Sequence, residues 1–154
     1  MAGSGGCFYR LPRLMDVNVA SRYIRGRRKL LIVGRCIEAE KPWALERFPE
    51  EEYVRLSVCL EDDHVNMAGF KLAGILGRLE FEEVAVLTTD GSMHCIQLHF
   101  MVEEVFRLLR PRARRRHFVV EGGRVVEVPP EAVKTARYLS RVARLLSRSR
   151  GEGS

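Results

Sequence analysis

The chain has 154 residues, of which 46% are hydrophobic and 30% are charged. This length predicts one domain with a single core, and the apolar fraction excludes intrinsic disorder of the whole chain. No apolar run approaches the roughly 18–20 residues of a membrane helix, and residues 1–13 lack the apolar stretch of a secretory signal. We therefore expect a cytoplasmic protein with no membrane partner.

Basic charge is concentrated at the two ends of the chain. The formal net charge is +6, but residues 1–37 carry +7 and residues 105–154 carry +9, whereas the stretch between them is acidic. Basic ends of this kind favour binding to nucleic acid or to an acidic protein partner; they could equally pair with the acidic middle across the folded surface. Of the 26 basic residues 22 are Arg, and only three residues are amides. This composition is typical of a thermophile or of a GC-rich genome.

The N-terminal part of the chain predicts an arm, a helix and a strand. Residues 1–13 are rich in glycine and predict a flexible arm. Asp16 predicts the cap of a helix over residues 17–27, which ends in a basic run. The continuous apolar run at residues 30–33, closed by Gly34, is typical of a short strand that is buried on both faces.

The middle of the chain predicts a connection, a second strand and a helix. Residues 38–52 are acidic and contain two prolines, so we expect a long connection with a helical turn over 43–52. Alternation of apolar and polar residues over 54–60 predicts a half-buried strand. The acidic run at residues 61–63 suits a helix N-terminus, and the helix is predicted to reach about Arg78.

The C-terminal half predicts a strand, two long helices and a hairpin. A second buried strand at residues 84–87 leads through a turn into an apolar helix over 93–109. Residues 110–116 predict a basic connection. Residues 117–128 predict a β-hairpin, because the Gly-Gly dipeptide in this stretch suits a two-residue turn. A last helix is expected over 131–148, followed by a disordered tail at 149–154.

Together these elements predict an α/β fold. Two buried strands separated by a helix indicate parallel strands joined by crossovers, and the hairpin adds antiparallel strands at one edge. We therefore expect residues 14–148 to form a single domain. Its mixed sheet has parallel central strands, helices cover both faces, and the chain ends with a β-hairpin and a helix.

The predicted functional site lies where the two buried strands end. Ligands of open α/β sheets bind beyond the carboxyl ends of the strands. The first buried strand is followed by Cys36 and the second by Asp90, His94 and Cys95, which converge if the strands are neighbours. Cys95 falls in the first turn of a helix, where backbone N–H groups favour a thiolate. We therefore expect Cys95 to be the most reactive thiol and the candidate nucleophile, with His94 and Asp90 beside it.

The same residues also predict a metal centre. Cys95 and His99 are one helical turn apart, so they can share a helix face and hold a metal ion between them. Further candidate ligands are Cys7, Cys36, Cys59 and His94, and the cofactor would be zinc or an iron–sulfur cluster. The leading prediction is therefore a metal- or iron–sulfur-binding protein with a redox or accessory role. Buried free thiols without a ligand, and a reactive thiol, remain open alternatives.

The order of a strand, Cys36, a crossover helix, a second strand and a His/Cys loop resembles that of the β-class carbonic anhydrases. This resemblance implies zinc ligands at the strand ends. That family has an Asp-x-Arg pair directly after its first cysteine and spaces the His and Cys of its second motif by two residues. Here Ile37-Glu38-Ala39 follows the first cysteine, and His94 and Cys95 are adjacent, so the activity is not carried over. This arrangement is also similar to that of the small subunits of nickel–iron hydrogenases, and the similarity implies a cluster at the strand ends.

Arg-rich elements near the C-terminus predict an alternative function. The candidate phosphate contacts are Arg112, Arg114, Arg115, Arg116, Arg137, Arg141 and Arg144. On the last helix the basic residues recur every three or four positions and form one stripe, which would bind nucleic acid with a strong salt dependence. The other interpretations are a solvated helix face and a structural subunit that docks a protein partner or a second copy of the chain.

Overall fold

The computed structural model of the protein describes residues 9–151. Its five strands are β1 (Lys29–Gly34), β2 (Tyr53–Val58), β3 (Glu83–Thr89), β4 (Arg114–Glu121) and β5 (Arg124–Val128). They form one sheet with the order β2-β1-β3-β4-β5. The first four strands are parallel, and β5 returns antiparallel to β4. The predicted α/β fold, with parallel central strands and a C-terminal hairpin, is confirmed.

Within residues 9–151, six α-helices and one 3₁₀ helix surround the sheet. They are α1 (Arg22–Arg25), α2 (Arg35–Glu40), the 3₁₀ helix (Pro42–Arg47), α3 (Val65–Arg78), α4 (Met93–Leu109), α5 (Pro130–Ala136) and α6 (Leu139–Ser149). None of these helices is both long and apolar enough to cross a membrane. The predicted long helix before the hairpin and the predicted β-hairpin have the expected positions.

Helices cover both faces of the sheet because strand side chains point alternately to one face and the other. On one face, Ile32 and Val86 pack in a cluster with Leu72 of α3 and Val102 of α4. The opposite face packs in a second cluster, formed by Leu31, Val33, Leu87 and Phe118 with Ile37 of α2, Leu45 of the 3₁₀ helix and Phe48. The central strands are therefore buried on both sides, as their continuous apolar runs predict.

The parallel register brings the carboxyl ends of three strands level with one another. Lys29 of β1 pairs with Tyr53 of β2 on one side and with Glu83 of β3 on the other. Gly34, the last residue of β1, consequently lies opposite Val58, the last residue of β2. The loops that follow β1, β2 and β3 therefore share one edge of the sheet.

Two helices differ from the predicted bounds. The helix expected after Asp16 is only the single turn α1, because its N-cap is Ser21 and it ends at Gly26. The helix expected over 131–148 is divided into α5 and α6 at Tyr138, whose φ of −111° and ψ of 93° are not helical. The spacing of apolar and basic residues continues through this break, so the sequence pattern does not reveal it.

Two elements begin at positions where the sequence predicts neither a helix nor a strand. α2 follows β1 directly and has only six residues, too few for helical periodicity to be recognised. β4 begins at Arg114, although residues 110–116 read as a basic loop. Arg115 and Arg116 lie in the strand and pair with acidic side chains of α4 and β5, which are distant in sequence.

The acidic run before α3 does not cap that helix. His64 Nδ1 accepts the capping hydrogen bond from a backbone N–H of the first turn. Asp62 and Asp63 instead pair with Arg35 and Arg13. These ion pairs join the turn before α3 to α2 and to the N-terminal segment.

Residues 9–13 pack against the domain, whereas the sequence predicts them as part of a flexible arm. The backbone of Ser57 in β2 accepts a hydrogen bond from the Leu14 N–H at 2.9 Å and donates one to the Pro12 carbonyl at 2.9 Å. The packed part of the chain therefore begins before residue 14. The rest of the predicted arm and half of the predicted tail lie outside the described residues, at 1–8 and 152–154.

Candidate functional site

Three neighbouring strands lead into cysteine-bearing segments at one edge of the sheet. Cys59 directly follows β2, Cys36 is the second residue of α2 after β1, and Cys95 lies in the first turn of α4 after β3. The chain passes from β1 to β2 on one side, and from β3 to β4 on the other. This divergence opens a crevice between the ends of β1 and β3, which is the usual ligand position in open α/β sheets.

Cys36 and Cys95 meet in this crevice. A Cβ atom added to Gly34 would lie 3.6 Å from the Cys95 Sγ and 3.9 Å from the Cys36 Sγ. The two side chains are close enough to shift each other's pKa, and the Thr89 Oγ1 lies 3.6 Å from the Cys36 Sγ. Both cysteines are free thiols. The two strand-end segments thus converge as the parallel arrangement predicts.

The two thiols have opposite pKa shifts. The hydrogen bond with Cys36 lowers the pKa of Cys95 to about 6, and burial opposes this shift. Hydrogen bonds from Ser92 and from the Thr89 backbone lower the Cys95 pKa further. The hydrogen bond with Cys95, together with burial, raises the pKa of Cys36 far above its ordinary value. The opposite directions of the two shifts favour a thiolate on Cys95, at the helix N-terminus, over one on Cys36.

The other predicted ligands lie around this pair without completing a metal site. Cys59 is half-buried and acts on Cys95 only through charge repulsion. His94 is half-buried, and Asp90 donates its backbone N–H to the carbonyl of Val120. Within residues 9–151, no group of three or more His, Cys, Asp or Glu side chains is close enough together to hold a metal ion.

His99 belongs to a different, buried network. Its Nε2 lies 2.7 Å from the Thr88 Oγ1, and its Nδ1 lies 2.9 Å from the Nδ1 of His117. The Nε2 of His117 lies 2.7 Å from Glu103, which also accepts a 2.6 Å hydrogen bond from Arg115. Both ring nitrogens of His99 therefore have protein partners, and the predicted pairing of His99 with Cys95 is not formed.

Sequence reasoning did not identify His117, Glu103 or Thr88 as members of this network. A partial signal was available, because His99 and Glu103 are four residues apart and so share one face of α4. His117 lies in a strand whose register is set by long-range pairing with β3. No local pattern could have placed it against α4.

A cavity of about 330 Å³ lies beside the loop that leads from β3 to α4, and neither Cys36 nor Cys95 is among the described residues that line it. Thr89 and Ser92, which both interact with the thiols, line one side of it. Val119, Val133 and Ala136 are among the apolar side chains that line the rest, and His99 is also part of the wall. The cavity is therefore mostly apolar, with a few polar groups on the side of the thiols.

The predicted phosphate-contacting residues fall into three groups. Arg115 and Arg116 are held in ion pairs within the domain. Arg112, Arg114 and Arg144 are exposed. Arg137 and Arg141 line a groove between the end of α4 and the helices α5 and α6, together with Arg107, Arg110 and Lys134. The predicted single stripe on one helix is therefore divided between two helices.

Comparison with known protein families gives one match. The family is described as a Rossmann-like domain, and its model covers residues 23–150. The matched region includes all five strands and both cysteines of the thiol pair. No curated protein and no solved structure matches the chain.

Proposed function

Since the chain belongs to the Rossmann-like domain family, we propose that its functional centre is the crevice between β1 and β3 and that Cys36 and Cys95 form a redox-active dithiol there. The observation that carries this proposal is the convergence of two free thiols on Gly34 at the end of β1, and the opposite directions of their pKa shifts agree with it. A thiolate beside a protonated thiol is the arrangement that thiol–disulfide exchange requires.

Cys95 is the attacking thiol in this proposal. Its pKa of about 6 makes it mostly thiolate at pH 7, and the thiolate is the nucleophile in exchange reactions. The Cys95 sulfur attacks one sulfur of a small disulfide, forms a mixed disulfide, and releases the other half of the substrate as a thiolate. Because Cys95 is largely buried, the substrate is a small molecule that enters through the neighbouring cavity of about 330 Å³.

Cys36 resolves the mixed disulfide. Once the Cys95 sulfur is in a disulfide it carries no charge, so the main cause of the raised Cys36 pKa is removed. The Cys36 thiol then loses its proton, and its sulfur attacks the Cys95 sulfur and displaces the second half of the substrate as a thiolate. The net reaction oxidises the two cysteines to one disulfide and reduces the small disulfide to two thiols, one of which takes the proton of Cys36 and the other a proton from solvent.

Metal binding is a second candidate function, and the position of Cys59 favours it. This thiol lies at the same edge of the sheet and interacts electrostatically with Cys95. Thiolates are the preferred ligands of zinc and of iron–sulfur clusters. Cys36 and Cys95 would supply two ligands, and Cys59 would have to approach them to supply a third.

The test uses the full-length chain in a Cys7→Ser background. Reduced protein is treated with bis(2-hydroxyethyl) disulfide, alkylated, and mapped by mass spectrometry. We expect a Cys36–Cys95 disulfide, and iodoacetamide should alkylate Cys95 with a midpoint near pH 6. Cys36→Ala should prevent the disulfide and move that midpoint upward, whereas the matched control Cys59→Ser should still form the disulfide and should not raise the midpoint. If Cys95 reacts only after denaturation, the dithiol proposal is rejected.

The same preparations separate the two candidates. Protein purified anaerobically is analysed for zinc and iron and by absorbance. Stoichiometric metal that protects Cys36, Cys59 and Cys95 from alkylation, and that is lost in Cys59→Ser, supports the metal centre. Metal-free, colourless protein that still forms the Cys36–Cys95 disulfide supports the dithiol alone.

A further inference from the structure

A strongly basic groove lies at the opposite end of α4 from the thiol pair. It has a volume of about 700 Å³ and is lined by residues from α4, β4, α5 and α6. Its basic side chains are Arg107, Arg110, Arg115, Lys134, Arg137 and Arg141, and its acidic side chains are Glu103 and Glu104. Glu103 is already neutralised by Arg115, so the groove carries a large excess of positive charge.

Five of these cations form no ion pair within the residues that the structure describes, and one of the five, Arg141, lies over the Tyr138 ring. Many other basic side chains are paired, such as Arg13 with Asp63 and Arg116 with Glu127. By contrast, no acidic side chain in residues 9–151 forms an ion pair with Arg107, Arg110, Lys134 or Arg137. Cations that converge on one groove without partners repel one another. This repulsion is relieved when a polyanion binds.

The backbone at Arg110 provides a second, independent observation. Arg110 is the C-cap of α4 and has φ 50° and ψ 53°, a left-handed conformation that glycine adopts far more readily than other residues. It is the one non-glycine residue with positive φ among those that the structure describes. Arg110 therefore occupies a position where glycine would be less strained. The presence of arginine there indicates that its side chain has a role in the groove.

From these observations we infer that the groove binds the sugar–phosphate backbone of a double-stranded nucleic acid. The basic surface continues along α6 through Arg144 and Arg148. At a rise of about 1.5 Å per residue, Arg141 and Arg148 are about 10 Å apart along the helix axis. That length exceeds the spacing of neighbouring phosphates, so the surface fits a polymer better than a small phosphate compound.

A duplex fits the groove better than a single strand. Single-strand platforms combine positive charge with several exposed aromatic rings on which bases stack. In the described part of the groove, Tyr138 is the exposed aromatic side chain, and the Arg141 guanidinium lies 5.2 Å from the centre of its ring. Phe106 also lines the groove but is buried. Backbone contacts without base stacking predict binding that is independent of sequence.

The experiment measures binding of fluorescent 20-base-pair DNA and RNA duplexes to the full-length protein as a function of salt. With four phosphate contacts, the logarithm of the affinity for DNA should fall with the logarithm of salt concentration with a slope of about −3.6. Arg107→Gln/Arg137→Gln should reduce the slope by about 1.8 units, because two contacts are lost. The control Arg22→Gln/Arg25→Gln removes the same charge from exposed positions of α1 and should leave the slope unchanged.

Three results would overturn the inference. The first is no duplex binding at low salt. The second is an equal loss of slope in the groove variant and in the α1 control, which would indicate only a general effect of net charge. The third is saturation by tripolyphosphate or by anionic phosphatidylserine vesicles without any binding of duplex. None of these measurements depends on the thiols, so a negative result would reject the groove proposal and leave the dithiol proposal unaffected.

Discussion

The Nδ1 atoms of His99 and His117 lie 2.9 Å apart, so one imidazole donates a hydrogen bond to the other. The other partners of the two rings determine which imidazole is the donor. The Glu103 carboxylate can only accept, so His117 carries its proton on Nε2 and accepts at Nδ1. His99 consequently donates from Nδ1 and accepts the Thr88 hydroxyl proton at Nε2. Both rings are neutral in this arrangement, and every polar atom of both rings has a partner.

Stability should fall in acid because His99 cannot be protonated without breaking this network. Burial and the neighbouring His117 lower the pKa of His99 to about 3, and burial lowers the pKa of His117. The unfolded chain takes up these protons near pH 6.5, so the folded state loses stability as pH falls from about 6.5 towards 3. For His99 the loss is about 1.4 kcal/mol per pH unit below 6.5, which urea denaturation at pH 7.0 and 5.5 measures.

The matched variants are His99→Gln and His94→Gln. Glutamine at position 99 can still accept from Thr88 and donate to His117 but does not titrate, so its stability should depend less on pH than that of the wild type. His94→Gln, at a half-buried site outside the network, should keep the wild-type dependence. Equal pH dependence in all three proteins would contradict the neutral-histidine network.

Loss of the Thr88 hydroxyl should destabilise the fold. Thr88 is buried, and Thr88→Val keeps its shape while leaving the His99 Nε2 without a donor. An unsatisfied buried polar atom costs about 1–3 kcal/mol. The control Thr135→Val removes a half-buried hydroxyl that makes no side-chain hydrogen bond within residues 9–151. Thermal unfolding should show a clear decrease for Thr88→Val alone, and similar melting temperatures for both variants would be evidence against the bond.

Glycine at position 110 should stabilise the protein. The left-handed conformation costs an L-residue about 1–2 kcal/mol, while glycine loses about 0.5–1 kcal/mol more backbone entropy on folding. Arg110→Gly should therefore raise the free energy of unfolding by about 0.5–1 kcal/mol. Arg107→Gly is the matched control, because it places glycine in the last turn of α4 and should lower stability by about 1 kcal/mol.

The two glycine variants also connect stability with binding. Both remove a cation from the basic groove, so both should bind duplex DNA more weakly although their stabilities change in opposite directions. A stabilised Arg110→Gly protein that retains wild-type affinity would show that the strained backbone does not serve the groove.

The sequence predicts most of the sheet and the meeting of Cys36 with Cys95. β1 and β3 are continuous apolar runs, and the direction of parallel strands brings the segments after them to one edge. This inference needs only local patterns and one topological rule. The same reasoning fails for His99, because its position on α4 is compatible both with facing Cys95 and with facing β4. The choice is made by His117, which the sheet register brings within 2.9 Å.

The Arg-rich segment illustrates a second limit. A run of Arg residues reads as a solvated loop, but Arg115 and Arg116 pair with Glu103 and Glu127 from α4 and β5. Those pairs form only when the strand is already in place, so local sequence cannot distinguish the paired Arg side chains from free cations. The unpaired cations of the groove become recognisable only after the paired ones have been assigned.

The N-terminal segment has one further consequence, for self-association. An edge strand exposes backbone N–H and C=O groups that can recruit a strand from another molecule. At the outer edge of β2, the N–H and C=O of Ser57 are already occupied by Pro12 and Leu14. This short segment thus prevents a strand of another molecule from pairing with β2 at this position. A chain that lacked its first 14 residues would present this edge to its neighbours and would be prone to aggregate through it.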